Sequence, residues 1–295
     1  MKDSFSSFHP AVNFTYFTAV ILFSMFFLHP VFLGISLCSG AIYSVYLKGK
    51  KALRFDLLYL LPVFLLFALM NPVFNHAGAT ILLYVNDNPI TLESIVYGFV
   101  AAAMFVSVIL WFSCCNVVMT SDKFLYLFGR FIPALSLVLS MVLRMVPRFT
   151  AQARVISNAQ KCVGRDISNG NLFHRAKNGL KILSILITWA LENAIDTADS
   201  MKSRGYGLKG RTSFSNYRFT LRDGTAMGIL AALIVVLLVG TVLGETTLTY
   251  FPSILWHPAT GGSVCVYIAY GGLCLLPMIF DIREEIQWAR LPSKI

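Results

Sequence analysis

Six stretches of the chain, roughly 13 to 30, 31 to 47, 55 to 71, 92 to 112, 226 to 244 and 263 to 280, are apolar almost without interruption. A helix needs about 20 such residues to cross the hydrocarbon core of a bilayer. Inside that core every backbone N–H and C=O must be satisfied within the segment itself, which only a helix or a closed barrel achieves. Runs of this length point to helices. The composition agrees: 57% of residues are hydrophobic and 13% charged, with a mean hydropathy of +0.70. That is more apolar surface than a water-facing domain of this size can hide. The lipid bilayer is the first partner the sequence implies.

The formal charge of +10 then reads as topology. Lys2 precedes the first run, and Lys48, Lys50, Lys51 and Arg54 separate the second from the third. The stretch from Lys123 to Arg222 carries most of the remainder, and Arg283, Arg290 and Lys294 follow the last run. The other connections, 71 to 93, 245 to 262 and the His29-Pro30 tip, contain no Lys or Arg. Threaded alternately, six spans put all 24 basic residues on one side, as the positive-inside rule requires. A multi-pass protein of a cell (inner) membrane, with both termini cytoplasmic, is expected. No nucleic-acid role is expected, because the bases are not gathered into one aromatic-laced soluble stretch. The fold expectation is an all-α integral membrane protein. Residues 1–122 hold the N-terminal spans, 123–222 a cytoplasmic, partly embedded domain of two to three helices, and 223–295 a transmembrane hairpin with a cytoplasmic tail.

The middle segment is too long for a loop. Phe131 to Val146 is apolar but bracketed by Arg130, Arg144 and Arg148 and punctuated by Pro133 and Pro147, which predicts an inclined helix rather than a seventh span. A second helix is expected from Pro147, with Phe149, Ile156, Ala159 and Val163 on one side and Gly164 closing it. The third runs from Ala176 to Arg204, with Leu180, Leu183, Ile187, Leu191, Ala194, Ile195, Ala198 and Met201 as an apolar stripe. Glu192, Asp196 and Asp199 fall opposite, and Gly205 stops it. Asp166 to Asn171 is a turn-rich connector.

Catalytic chemistry finds no clustered residues. The histidines (His9, His29, His76, His174, His257) have no H-x-x-H spacing, and the six cysteines show no C-x-x-C pair and read as buried thiols. There is no G-x-x-x-x-G-K-[ST] loop for ATP. The spans hold almost no ionisable residues, which disfavours an ion-coupled carrier, although a self-contained secondary transporter or channel remains the alternative. What stands out is the run Ala198 to Gly207 at a helix end, followed by Gly210 to Phe214. An arginine there complements the helix macrodipole. It can equally project from the tip, since Gly205 turns the chain away, and its planar fork can grip a partner's carboxylate.

At these residues the chain resembles the transmembrane (T) component of energy-coupling factor transporters, the family that includes the cobalt importer's transmembrane subunit. Members end two cytoplasmic coupling helices in Ala-Arg-Gly-like motifs, one of the form small-x-x-Met-x-x-Arg-Gly-Tyr. Ala198, Met201, Arg204, Gly205 and Tyr206 match it. The first motif departs: Ala159-Gln160-Lys161-Cys162-Val163-Gly164-Arg165 has Val163 where the arginine would stand. The resemblance implies a non-catalytic subunit of a bacterial or archaeal importer of a vitamin or transition-metal ion, without a resident cofactor. Two ABC-type ATPases would receive the tips at Ser203, Arg204 and Gly205 and at Lys161, Val163, Gly164 and Arg165. A separate substrate-binding membrane (S) subunit would pack on small or adaptable residues, for which Ser140, Met141, Met145, Ala190 and Ala194 are the candidates.

Overall fold

Two dipeptides of the same kind open the first two helices, α1 (Pro10–Phe26) and α2 (Pro30–Lys48). Proline suits the first helical position, where its missing N–H is not needed. In each case the preceding histidine acts as the cap: His9 Nδ1 accepts the Ala11 N–H at 3.2 Å and His29 Nδ1 that of Val31 at 3.3 Å. A π-turn, Asp56–Leu60, leads into α3 (Leu61–Phe74). An antiparallel hairpin, β1 (Ile81–Val85) and β2 (Asn88–Thr91), precedes α4 (Leu92–Val118), whose Thr91 cap accepts the Ser94 N–H. Then come α5 (Ser121–Gly129), α6 (Pro133–Cys162) and α7 (Leu172–Ser203). The last two are α8 (Leu221–Val242), opened by a reciprocal Thr220–Asp223 capping box, and α9 (Gly261–Arg290). The structure, a computed structural model, describes residues 4–49, 54, 56–85, 88–129, 133–165, 171–206, 217–255 and 260–290. Lys2, Lys50, Lys51, Arg130, Phe131, residues 166–170, Gly207, Gly210 to Phe214, His257 and Lys294, all singled out above, lie outside them.

Among the described residues four helices are long and apolar enough to cross a membrane: α2, α4, α8 and Gly261–Gln287 of α9. Pro10–Phe26 and Leu58–Phe74 are shorter apolar helices, and 17 residues rising about 1.5 Å each still extend roughly 25 Å. The chain forms two compact units, one made of Met1–Lys123 with Tyr217–Ile295, the other of Phe124–Asn216.

In the first unit α4 packs against α1, α2 and α3, while α9 packs against α2 and α8. The centre is aromatic, with Tyr16, Phe17, Phe32, Tyr43, Trp111 and Tyr270 fully buried. A hydroxyl network threads it. Ser36 Oγ on α2 accepts the Trp111 N–H at 2.9 Å and meets Ser24 of α1 at 2.8 Å and Ser107 of α4 at 2.5 Å. Ser24 also meets the Tyr270 hydroxyl of α9 at 3.0 Å. Four helices thus share polar contacts that fix their rotation, which apolar packing in lipid does only weakly.

Polar contacts gather at two ends of this unit. At one end the Phe5 N–H donates to Asp281 at 2.9 Å, the His9 N–H to Asp223 at 2.8 Å and Lys123 Nζ to the Ser6 carbonyl at 2.6 Å. At the other the Tyr250 hydroxyl donates to the Leu28 carbonyl and the Ala79 N–H to that of Pro252 at 3.0 Å.

Three expectations are revised. The connection after α3 is not a plain loop: Ile81 to Val85 pairs with Asn88 to Thr91, and Glu93 is buried beside it, accepting the Thr80 N–H at 3.2 Å. Pro147 does not start a new helix, because α6 runs unbroken for 30 residues through it. The lost bond at one turn costs less than ending a long helix that continues well formed on both sides. Finally, Cys114 and Cys274 are buried thiols, but Cys38, Cys162 and Cys265 are exposed.

Candidate functional site

The second unit is built on the pairing of α6 with α7. Arg148 donates to the Asn193 side chain at 2.9 Å and lies over the Trp189 ring at 5.5 Å, while Phe149 meets the same ring edge-on. Asn193 returns a hydrogen bond to the Trp189 carbonyl at 3.0 Å, locking it for Arg148. Ile156, Asn178 and Ile182 are buried.

This pairing leaves the anticipated apolar stripe of α7 uncovered. Leu180, Leu183, Ile187, Leu191 and Ile195 are all exposed, Leu180 and Ile195 by 66% each. The more shielded positions are Asn178, Ile182, Leu186, Trp189, Asn193 and Thr197, spaced three to four apart on a different side of the helix. Arg148, Phe149, Trp189 and Asn193 hold the pair together along with the buried Ile156 and Ile182, while the aliphatic stripe faces away. Glu192, Asp196 and Asp199 are exposed, as their pattern implied. Among the small and adaptable candidates, Met141, Met145 and Ala190 are partly buried and Ser140 and Ala194 exposed.

Both helices end in the same closure. At α6 the Arg165 N–H bonds the Gln160 carbonyl at 2.9 Å and the Gly164 N–H that of Lys161 at 3.0 Å, with Gly164 at φ +75°. At α7 the Tyr206 N–H bonds the Met201 carbonyl at 3.0 Å and the Gly205 N–H that of Lys202 at 3.0 Å, with Gly205 at φ +78°. These are two Schellman turns, which need a left-handed residue that glycine adopts without a Cβ penalty. Their hydrogen bonds set the register. Val163 occupies the position of Arg204, Gly164 that of Gly205, Arg165 that of Tyr206 and Lys161 that of Lys202.

Arg204 is the cap residue within the turn and is exposed, and Ser203 is held by its hydroxyl bond to the Ser200 carbonyl at 2.8 Å. Val163 is 66% exposed, flanked by the exposed Lys161 and Arg165. Each tip therefore presents two basic side chains beside the partially negative end of a helix dipole, but only the second carries one at the cap. Ammonium and guanidinium groups placed this way have the chemistry to pair with carboxylates. Among the described residues no three His, Cys, Asp or Glu side chains converge on a metal position.

A family model described as cobalt transport protein, CbiQ, matches residues 3–214, a span that contains both tips. The chain belongs to the CbiQ family. Similar to this CbiQ-family chain are curated proteins named energy-coupling factor transporter transmembrane protein. The Listeria monocytogenes EcfT 1 is 28% identical over 223 residues, covering 71% of this chain and 78% of that protein. The Lacticaseibacillus paracasei EcfT is 28% identical over 196 residues, 64% of this chain and 73% of its own length. A shorter match, to the Lactobacillus helveticus EcfT, is 37% identical over 106 residues and spans 36% of this chain and 38% of that protein. These likenesses place the chain among the transmembrane components of energy-coupling factor transporters, as its Arg-Gly-Tyr ending implied. The CbiQ-family chain is accordingly a multi-pass membrane transport subunit.

Sequence reasoning missed the buried charges of the first unit, Lys123, Asp223 and Asp281. A lysine just past a long apolar run reads as an interfacial charge, and only the fold of the N-terminal segment over it reveals its burial.

Proposed function

We propose that the chain is the coupling subunit of an importer for a vitamin or transition-metal ion. The α6 and α7 tips dock in surface grooves of two partner ABC-type ATPases on the cytoplasmic side, where both termini also lie. The observation that carries this reading is the pair of identically closed, basic, exposed helix ends at 163–165 and 204–206. A glycine turn removes the following chain from the tip, so a cap side chain can enter a groove without the backbone blocking it. Arg204 then forms a forked pair with a groove carboxylate. At the first tip Lys161 and Arg165 flank an apolar Val163, so the contact there is weaker in charge.

ATP hydrolysis belongs to the partners and the chain supplies no catalytic group. Closure of the ATPase pair moves the docked tips, and helices of 30 and 32 residues transmit that displacement as rigid levers. The uncovered stripe Leu180, Leu183, Ile187, Leu191 and Ile195, together with Ser140, Met141, Met145, Ala190 and Ala194, supports a sliding contact with a separate substrate-binding membrane subunit. Ser140, Ala190 and Ala194 allow close approach there, and Met141 and Met145 allow repacking.

The test is co-purification of the two ATPases with the chain. Arg204→Glu sets like charge against an acidic groove and is expected to lose one ATPase while the membrane unit keeps its unfolding temperature. Val163→Arg is expected to tighten the other. Full recovery of both ATPases with Arg204→Glu refutes the docking role.

A further inference from the structure

The strand β1 is bare in a way that a water-facing strand does not sustain. Ile81, Leu82, Leu83 and Tyr84 are exposed by 47%, 52%, 66% and 65%. The register is irregular between Ile81 and Leu83, but past that point Leu83 and Tyr84 pair in order with Ile90 and Pro89. Successive residues of a strand point to opposite faces, so neither face of β1 is covered by the chain. Residues 72–92 hold one formally charged side chain, Asp87, and no Lys or Arg. A two-stranded hairpin on its own is marginal in water, and natural edge strands that face water are guarded by charge. Four consecutive uncovered apolar side chains without a charge among them call for an apolar medium.

The place of the hairpin supplies one. It joins α3 to α4, and α4 is long and apolar enough to cross a membrane. Its 27 residues extend about 40 Å, against a hydrocarbon core of about 30 Å. The ends of α4, and the hairpin attached to one of them, therefore reach the layer between hydrocarbon and water. The exposed apolar surface continues along the chain on both sides, with Leu69, Val73 and Phe74 before the hairpin and Leu92 after it.

The hairpin is also held at a fixed height on that helix end. Glu93 in the first turn of α4 accepts the Thr80 N–H at 3.2 Å and the Thr80 hydroxyl. The Thr91 hydroxyl donates to the Ala77 carbonyl at 2.8 Å and the Ser94 hydroxyl to that of Asn75 at 2.6 Å. Gly78, at φ +145°, permits the close approach, since a Cβ there would stand 2.6 Å from the Glu93 carboxylate and 2.7 Å from the Thr91 hydroxyl. Depth follows from the backbone: a two-stranded ribbon keeps open edges, whose N–H and C=O groups find no partner in hydrocarbon. The interfacial layer offers water and headgroups, and it favours a tyrosine, with its apolar ring and polar tip.

We propose that β1 is a lipid-binding anchor, with Ile81–Tyr84 seated in the interfacial layer of the bilayer at the α3–α4 end of the membrane unit. Apolar and aromatic contact holds it there, and with no Lys or Arg in the segment the lipid needs no negative charge. The anchor requires neither the ATPases nor the substrate-binding subunit.

The experiment attaches one spin label at Leu83→Cys in purified full-length chain with Cys38, Cys115, Cys162 and Cys265 replaced by alanine, reconstituted in phosphatidylcholine vesicles. Collisions with oxygen, which concentrates in lipid, are compared with those of a water-soluble nickel chelate. Labels at Val235, 57% exposed on the apolar helix α8, and at the exposed Lys202 serve as acyl-chain and water references. The label at position 83 is expected to meet several-fold less nickel chelate than the one at 202 and to lie shallower than the one at 235. Its depth is expected to stay the same when phosphatidylglycerol is added. Nickel contact as high as at position 202 overturns the anchor. So does shielding from both reagents, since β1 is then covered by protein, as by a second copy paired along its edge. Lipid contact that appears only with phosphatidylglycerol overturns it too, because charge and not apolar contact would be the cause.

Discussion

Gly98 on α4 lies against the part of α3 where Pro72 brings no N–H for the Ala68 carbonyl four residues before it. A Cβ at position 98 would sit 2.7 Å from that carbonyl oxygen, 3.1 Å from Asn71 Cβ and 3.3 Å from Pro72 Cδ. Ordinary contact begins near 3.4 Å, so Gly98→Ala must push backbone against backbone by several tenths of an ångström. Two effects oppose each other. Alanine in a helix interior is worth about 0.5–1 kcal/mol over glycine, and overpacking a close contact costs about 1–3 kcal/mol. Gly228 on α8 has nothing within 4 Å of its notional Cβ and feels only the first. Gly228→Ala is therefore expected to stabilise slightly, and Gly98→Ala to fall below it by about 1–3 kcal/mol. Paired thermal and denaturant unfolding in the same detergent reads the difference. If the two variants shift together, the close approach of α3 and α4 is wrong, and with it the role of a glycine at 98.

Two further outcomes follow from the same unit. Ser36→Ala strands the buried Trp111 N–H, which is expected to cost about 1–2 kcal/mol and to change the indole emission; unaltered emission and stability would mean the hydroxyl network is incidental. The caps at His9 and His29 require an unprotonated Nδ1, and burial holds both imidazoles below their ordinary value of 6.5. A folded pKa below the unfolded one leaves stability intact above about pH 6.5 and removes it as pH falls through the folded value. The unfolding temperature should thus drop from pH 7.5 to 5, and less so in His29→Asn, whose amide caps without titrating; an equal drop in both refutes the cap.

Much of the fold was legible because lipid imposes a simple code. A span must be apolar for its whole length, so the six apolar helices followed from hydropathy. The two tips were legible because a left-handed closure selects glycine, and Gly164 and Gly205 each stand one residue past an amphipathic pattern. The hairpin at 81–91 could have been found, as Ile81 to Val85 is a β-prone run followed by Asn-Asp-Asn-Pro. It was hidden only by proximity to the membrane spans. Pro147 misled because a proline is read locally as a boundary, whereas the helix around it is long enough to carry the break.

The sequence alone determined which segments form apolar helices, where two helices stop, and which chemistry stands at each stop, since these depend on residues within a few positions of one another. Only the tertiary structure decided which side of α7 is used internally, because Asn193 wins that side through a hydrogen bond to Arg148 and Trp189 through ring contacts with Arg148 and Phe149, which lie some forty residues away. It likewise decided that Lys123, Asp223 and Asp281 are buried. Burial of a charge is a matter of what folds over it, and here that cover comes from the opposite end of the chain.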